Sequence, residues 1–142
     1  MTVYFDDLHI GDEIPPLVTA PITETQLVRY AGASGDFNPI HTVHHVAEKA
    51  GLGGVIAHGM LVMGLVGRAI TNWAGVAPLR QYSARFVGMT KPGDVITVSG
   101  QVVEKLEVGG EYRIRCEVSA VDQTGQQKVK GSFVAALPKR GN

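Results

Sequence analysis

Apolar residues along this chain recur first with a helical spacing and then, from Tyr82 onward, with a spacing of two. Residues 14–20 form a short apolar run after Gly11-Asp12-Glu13 and read as a first strand, with Pro15 and Pro16 pushing its start to a sheet edge. Thr23-Glu24-Thr25-Gln26 has the form of a capping box, Thr23 at the N-cap and Gln26 at its third helical position. It opens a helix with Leu27 and Tyr30 on one face that ends near Gly32. A short helix over residues 43–50 follows, stopped by Gly51. Residues 58–73 are apolar nearly all the way round, which predicts a buried helix. Its Gly59, Gly64 and Gly67 lower helix propensity and so call for a packing or functional reason.

In the second half Tyr82, Ala84 and Phe86 alternate with polar neighbours, as do Ile96, Val98, Gly100 and Val102, then Tyr112 to Ala120, then Val129 to Ala135. Four strands in a row are predicted. They are joined by Lys91-Pro92-Gly93-Asp94, Val108-Gly109-Gly110-Glu111 and Asp122-Gln123-Thr124-Gly125, the last two short enough for hairpins. The expected result is an antiparallel meander wrapped around the helix of residues 58–73, with the tail, residues 138–142, frayed. The fold class is α+β.

Composition narrows the partners. The 142 residues suit one domain. Lys plus Arg number 13 and Asp plus Glu number 13, so net charge points to neither nucleic acid nor an anionic membrane surface. Cys116 is the one cysteine and lies in the apolar phase of its strand, which predicts core filler and fits a reducing compartment. The first residues lack the basic and apolar blocks of a signal peptide. The most apolar window, residues 51–67, is studded with glycines and runs into Arg68, which fits a membrane span poorly. A cytoplasmic protein is expected.

Candidate chemistry concentrates in Ala33-Ser34-Gly35-Asp36-Phe37-Asn38-Pro39-Ile40-His41, where turn-forming residues carry an acid, an amide and an imidazole. Asp36 and His41 could share one water as a general acid and base. Spacing alone equally allows Asp36 to cap the next helix and His41 to be a satisfied, partly buried histidine. Although His41, His44 and His45 cluster, adjacent helical histidines diverge and no zinc-site spacing is present, so no metal is expected. His44 and His45 read as exposed polar positions. Ser34 lacks the Gly-x-Ser-x-Gly context of a nucleophile. Gly59 heads the apolar helix, where its amide has no intrahelical acceptor and can serve as an oxyanion donor, or where the glycine simply lets the chain enter beneath the sheet.

The run Ser34 to His41, followed by Ala57-His58-Gly59-Met60-Leu61 and by Arg85-Phe86 leading to Lys91-Pro92-Gly93-Asp94, resembles the R-specific enoyl-CoA hydratases, the MaoC-like or hydratase 2 group. The resemblance covers most of the chain. It implies a hot-dog fold, an antiparallel sheet wrapped around a long central helix, with two such units paired edge to edge. It implies reversible hydration of trans-2-enoyl thioesters to (3R)-hydroxyacyl thioesters, with Asp36 and His41 as the catalytic pair, Asn38 holding loop and substrate, Gly59 donating its amide to the thioester oxygen, and no cofactor. These groups are expected to converge on one thioester-sized pocket. The implied partners are an acyl-CoA or an acyl carrier protein thioester and a second hot-dog subunit, identical or related. The segment from Ala57 through Gly67 looks most like the catalytic subunits of mycobacterial-type fatty-acid synthase dehydratases. Two departures stand out: Gly64 where some members have a serine, and Val87-Gly88-Met89-Thr90 without the usual proline before the Pro-Gly-Asp turn. A hot-dog thioesterase and an acyl-binding scaffold subunit are the alternatives. Arg68, Arg80, Arg85 and Lys91 are possible phosphate contacts.

Overall fold

The structure, a computed structural model, describes residues 1–141. In chain order the elements are β1 (Leu17–Val18), α1 (Glu24–Ser34), a 3-10 turn (Pro39–His41), α2 (His44–Lys49), α3 (Gly59–Ala74), β2 (Leu79–Phe86), β3 (Thr97–Val108), β4 (Glu111–Val121) and β5 (Gln127–Ala136). A 3-10 turn at Phe5–Asp7 precedes them. The five strands make one antiparallel sheet in the order β1-β3-β4-β5-β2. α3, about 24 Å long at 1.5 Å per residue, packs against β2, β3, β4 and β5.

The strand periodicity places the core. Val98, Ile114, Cys116, Ala120, Val129 and Phe133 are buried and meet Val62, Leu65, Val66, Ala69 and Ile70 of α3. Each large apolar side chain buried in this way contributes roughly 1.5–3 kcal/mol. Burial also pushes the Cys116 thiol up to about 12, so it is held as inert core filler. Tyr82 fastens α3 to β2 by donating its hydroxyl to the Met63 carbonyl at 2.8 Å. The sheet curls through close backbone approach. A Cβ at Gly100 would lie 2.7 Å from the Glu117 carbonyl oxygen, and one at Gly131 would collide with that of Ser83. A bulge between Val102 and Glu104 adds to the bend.

Several expectations change. The meander holds for β3, β4 and β5, but β2 pairs with β5 and not with its successor. Residues 87–96 are therefore a crossing segment, held by Ala57 N–H to Thr90 O (2.7 Å), Ile22 N–H to Asp94 O (2.9 Å) and Lys128 Nζ to Met89 O (2.6 Å). The first strand shrinks to Leu17–Val18, with Glu13 bridging to Gln101, because the two prolines remove ladder donors. α1 runs past Gly32 to Ser34 and is capped by Gly35 at φ 75°. Thr23 Oγ1 accepts from the Gln26 amide at 3.1 Å, so the cap residue is as read. α3 is not buried all round: Met60, Gly64, Arg68 and Asn72, spaced by four, form an exposed stripe. The tail is tied down as far as Arg140, whose guanidinium reaches Asp7 at 2.6 Å, while Asn142 lies outside the described residues. Among the described residues no helix is long and apolar enough to cross a membrane.

Candidate active site

The loop between α1 and α2 is shaped by a relay of side chain to backbone bonds at two-residue intervals. Gly35 turns the chain off α1. Ser34 Oγ then donates to Tyr30 O (2.7 Å) and accepts from the Asp36 amide (3.1 Å). Asp36 Oδ1 accepts from the Asn38 amide (3.2 Å), and Asn38 Oδ1 from the Ile40 amide (3.2 Å). Asn38 thereby caps the 3-10 turn, which Pro39 starts and His41 ends. This relay uses one Asp36 oxygen and leaves Oδ2 free.

His41 is buried, and its Nδ1 bonds to the Ile56 carbonyl at 2.7 Å. A carbonyl only accepts, so Nδ1 carries a proton and, in the neutral ring, Nε2 carries the lone pair. That lone pair lies 3.8 Å from Asp36 Oδ2. The gap is too long for a direct hydrogen bond and suits a water bonded to both. Asp36 itself is half exposed.

His58, the N-cap of α3, stacks on His41 with ring centroids 3.8 Å apart and planes at 23°. Its Nε2 donates to the Asp36 carbonyl oxygen at 3.1 Å. Next to it, Gly59 is the first residue of α3. Among the described residues none accepts from the Gly59 N–H, which points along the positive end of the helix dipole. A Cβ on Gly59 would come within 3.2 Å of the Phe86 ring, so the close packing anticipated for this glycine is present as well. Asp36, His41 and Gly59 are thus gathered at the N-terminus of α3, with Asn38 shaping the loop.

Asp36, His41 and His58 offer ligand atoms within 4.8 Å of one another, the residue set of a two-histidine, one-carboxylate metal site. Their arrangement does not fit one. The two imidazole rings are stacked on one another at 3.8 Å, and His58 Nε2 is engaged by Asp36's own carbonyl. His44, exposed as expected, also bridges elements: Nε2 meets Glu24 Oε1 at 2.7 Å and Nδ1 accepts from the Val55 amide at 3.3 Å.

The thioester-sized pocket expected around Asp36, His41 and Gly59 is neither of two clefts, about 850 Å³ on the outer sheet face and 540 Å³ beside Trp73, which none of the three residues lines. The site instead opens to the surface beside exposed Phe37, Met60 and Phe86. Of the possible phosphate contacts, Arg80 is taken up by Glu111 at 3.0 Å and Arg85 faces the outer cleft. Sequence reasoning left His58, Tyr30 and Ile56 without a role at the site. For His58 the signal was its place beside Gly59.

Comparison with known proteins follows the same lines. The chain is 28% identical over 141 residues to the 3-hydroxybutyryl-CoA dehydratase of Methylorubrum extorquens, covering 97% of this chain and 86% of that protein. It is 30% identical to the (R)-specific enoyl-CoA hydratase of Rhodospirillum rubrum, covering 97% and 94%. Its fold superposes on unliganded R-hydratase PhaJ1 of Pseudomonas aeruginosa with a TM-score of 0.86 and 28% identity, covering 98% and 88%. Some relatives are far longer, and the chain spans 6% of the fatty acid synthase subunit beta of Saccharomyces cerevisiae. The profile of the MaoC like domain matches residues 8–125, and the chain belongs to that family.

Proposed function

We propose that this chain catalyses the reversible hydration of trans-2-enoyl thioesters to (3R)-hydroxyacyl thioesters, as one domain that carries all the groups the chemistry needs. The observation that carries the reading is the 3.8 Å separation of Asp36 Oδ2 and the His41 Nε2 lone pair, beside the free amide of Gly59. The names of the relatives, an (R)-specific enoyl-CoA hydratase and a 3-hydroxybutyryl-CoA dehydratase, support it.

The thioester carbonyl accepts from the Gly59 N–H, which stabilises enolate character as C3 is attacked. Water between the pair loses a proton to His41 Nε2 as its oxygen bonds to C3. That proton passes across the pair to Asp36, which delivers it to C2 on the same face. One water has then been added across the double bond, and the pair is restored. In reverse, the same groups remove water.

A second subunit completes the site. β2 is a free sheet edge, and Phe37, Met60, Phe86, Val87 and Met89 are exposed beside the catalytic groups. A second hot-dog unit, identical or related, covers them and supplies the missing pocket wall. The carrier is coenzyme A or an acyl carrier protein.

The test is to give the purified chain a trans-2-enoyl-CoA and follow both enoyl absorbance and free thiol. Hydration is expected, with Asp36→Asn and His41→Ala lowering kcat by about 10²–10⁴-fold at unchanged melting temperature. Thiol release without hydration would make it a thioesterase. Hydration that appears only on adding a related hot-dog subunit would make the enzyme a heteromer. Binding without turnover under either condition would make the chain a scaffold.

A further inference from the structure

We propose that His58 is a positioning residue for this reaction: its ring sets the separation of Asp36 and His41. The proposal rests on the assignment of those two residues as the catalytic pair.

Asp36 and His41 come from one loop, but their own contacts leave their mutual position open. The relay from Ser34 to Ile40 fixes the Asp36 backbone and Oδ1 within the loop, and leaves Oδ2 of this half-exposed side chain without a hydrogen bond. The imidazole of His41 is held at one atom, by Nδ1 to Ile56 O. One hydrogen bond fixes a direction and leaves the plane of the ring free to tilt.

His58 supplies both missing restraints from a different element. Its Nε2–H holds the Asp36 carbonyl at 3.1 Å, and its face lies against the His41 ring at 3.8 Å. His58 is itself rigidly placed. Its carbonyl accepts from the Leu61 amide at 3.1 Å as the first turn of α3 begins, and Tyr30 packs edge-on to its ring at 4.8 Å. Through it the loop is referenced to the head of α3, where the Gly59 amide lies, so a single ring ties the acid, the base and the oxyanion donor to one frame.

The other ring nitrogen argues that packing is not the reason for a histidine here. His58 is 2% exposed, and its Nδ1 is buried with no hydrogen-bond partner. An unpaired buried acceptor weakens the fold. An apolar side chain would fill this space without that penalty but could not donate to Asp36.

Two variants separate the restraints. His58→Gln keeps a donor at the Nε2 position and loses the flat face, and His58→Phe keeps the face and loses the donor. Each is expected to lower kcat on a trans-2-enoyl-CoA by about 10- to 100-fold, the cost of a small misplacement of reacting groups, with KM little changed. His58→Ala should fall below both. Wild-type kcat in either single-restraint variant, or a loss confined to KM, would overturn the proposal. Nitrogen-15 NMR of the imidazoles supplies a readout that does not depend on turnover. In the wild type the His58 proton is expected on Nε2, and in folded His58→Phe the His41 ring signals should shift or broaden. A proton on His58 Nδ1, or His41 signals unmoved by the substitution, would overturn it even if the chain proved to hydrate no thioester. Absence of hydration with both NMR results intact would instead sink the proposed reaction alone.

Discussion

Gly59 meets two requirements at one position, and substitution can separate them. As first residue of α3 it has no intrahelical acceptor for its N–H, and its missing Cβ leaves room for the Phe86 ring. Gly59→Ala keeps the amide and adds the crowding, which half-exposed Phe86 can relieve by moving slightly. Gly59→Pro adds comparable crowding and deletes the donor at the helical position where proline is best tolerated. The preceding residue, His58, is already extended at φ −60° and ψ 133°, as a following proline requires. The proline variant should retain the fold and show kcat about 10²–10³-fold below that of the alanine variant, the usual range for loss of an oxyanion donor. Equal kcat in the two would mean that Gly59 serves packing only. In the sequence both readings of this glycine were open, because the Phe86 contact depends on where the end of β2 lands.

At the scale of elements, the crossing segment after β2 is joined to the β4–β5 hairpin by a buried charge cluster. Lys128 Nζ lies 3.2 Å from Asp122 Oδ2 and 3.7 Å from Asp94 Oδ2. Asp122 Oδ1 takes the Thr124 hydroxyl at 2.7 Å and the amides of Thr124 and Gln126. Chiefly through that Thr124 hydroxyl, with help from the two amides and Lys128, the Asp122 carboxyl is held well below the usual carboxylate range. A lowered folded-state pKa stabilises the fold above the unfolded value of about 4 and loses that stabilisation as pH falls toward the folded value. Asp122→Asn should therefore melt below the wild type at neutral pH, and the difference should close only as the pH drops below about 4. Thermal melts across that range check this; a gap that widened on acidification would contradict it. None of this was legible from the alternation, which puts Lys128 in the outward phase of β5. The register shift after Ala120 and the turn beyond it draw Lys128 inward. The same alternation correctly gave the four long strands and the Cys116 core position, because one face of each is buried. It could not give the place of β2 beside β5, since strand order is decided by the tertiary contacts of residues 87–96.

The whole molecule presents a sheet edge, one exposed stripe of α3 and an open corner where the candidate site lies. Hydrophobicity all round α3 was visible in the sequence. Its division between a core face and the exposed face carrying Met60 and Gly64 was not, because that division is set by which side of the helix meets the sheet. The candidate site was legible as types and spacing: Asp36, Asn38, His41 and Gly59 come together as the motif implied. The geometry that gives them meaning was not, since it depends on Ile56 fixing the His41 tautomer and on His58 spanning loop and helix. In the proposed mechanism one water lies between Asp36 and His41 on a single side of the substrate plane, so both new bonds form from that side. Hydration of a trans-2-enoyl-CoA in D2O, with the stereochemistry of the product read by proton NMR, tests this most directly. The account predicts a (3R)-hydroxyacyl-CoA carrying one deuterium at C2, added to the same face as the hydroxyl; anti addition or a (3S) product would contradict it.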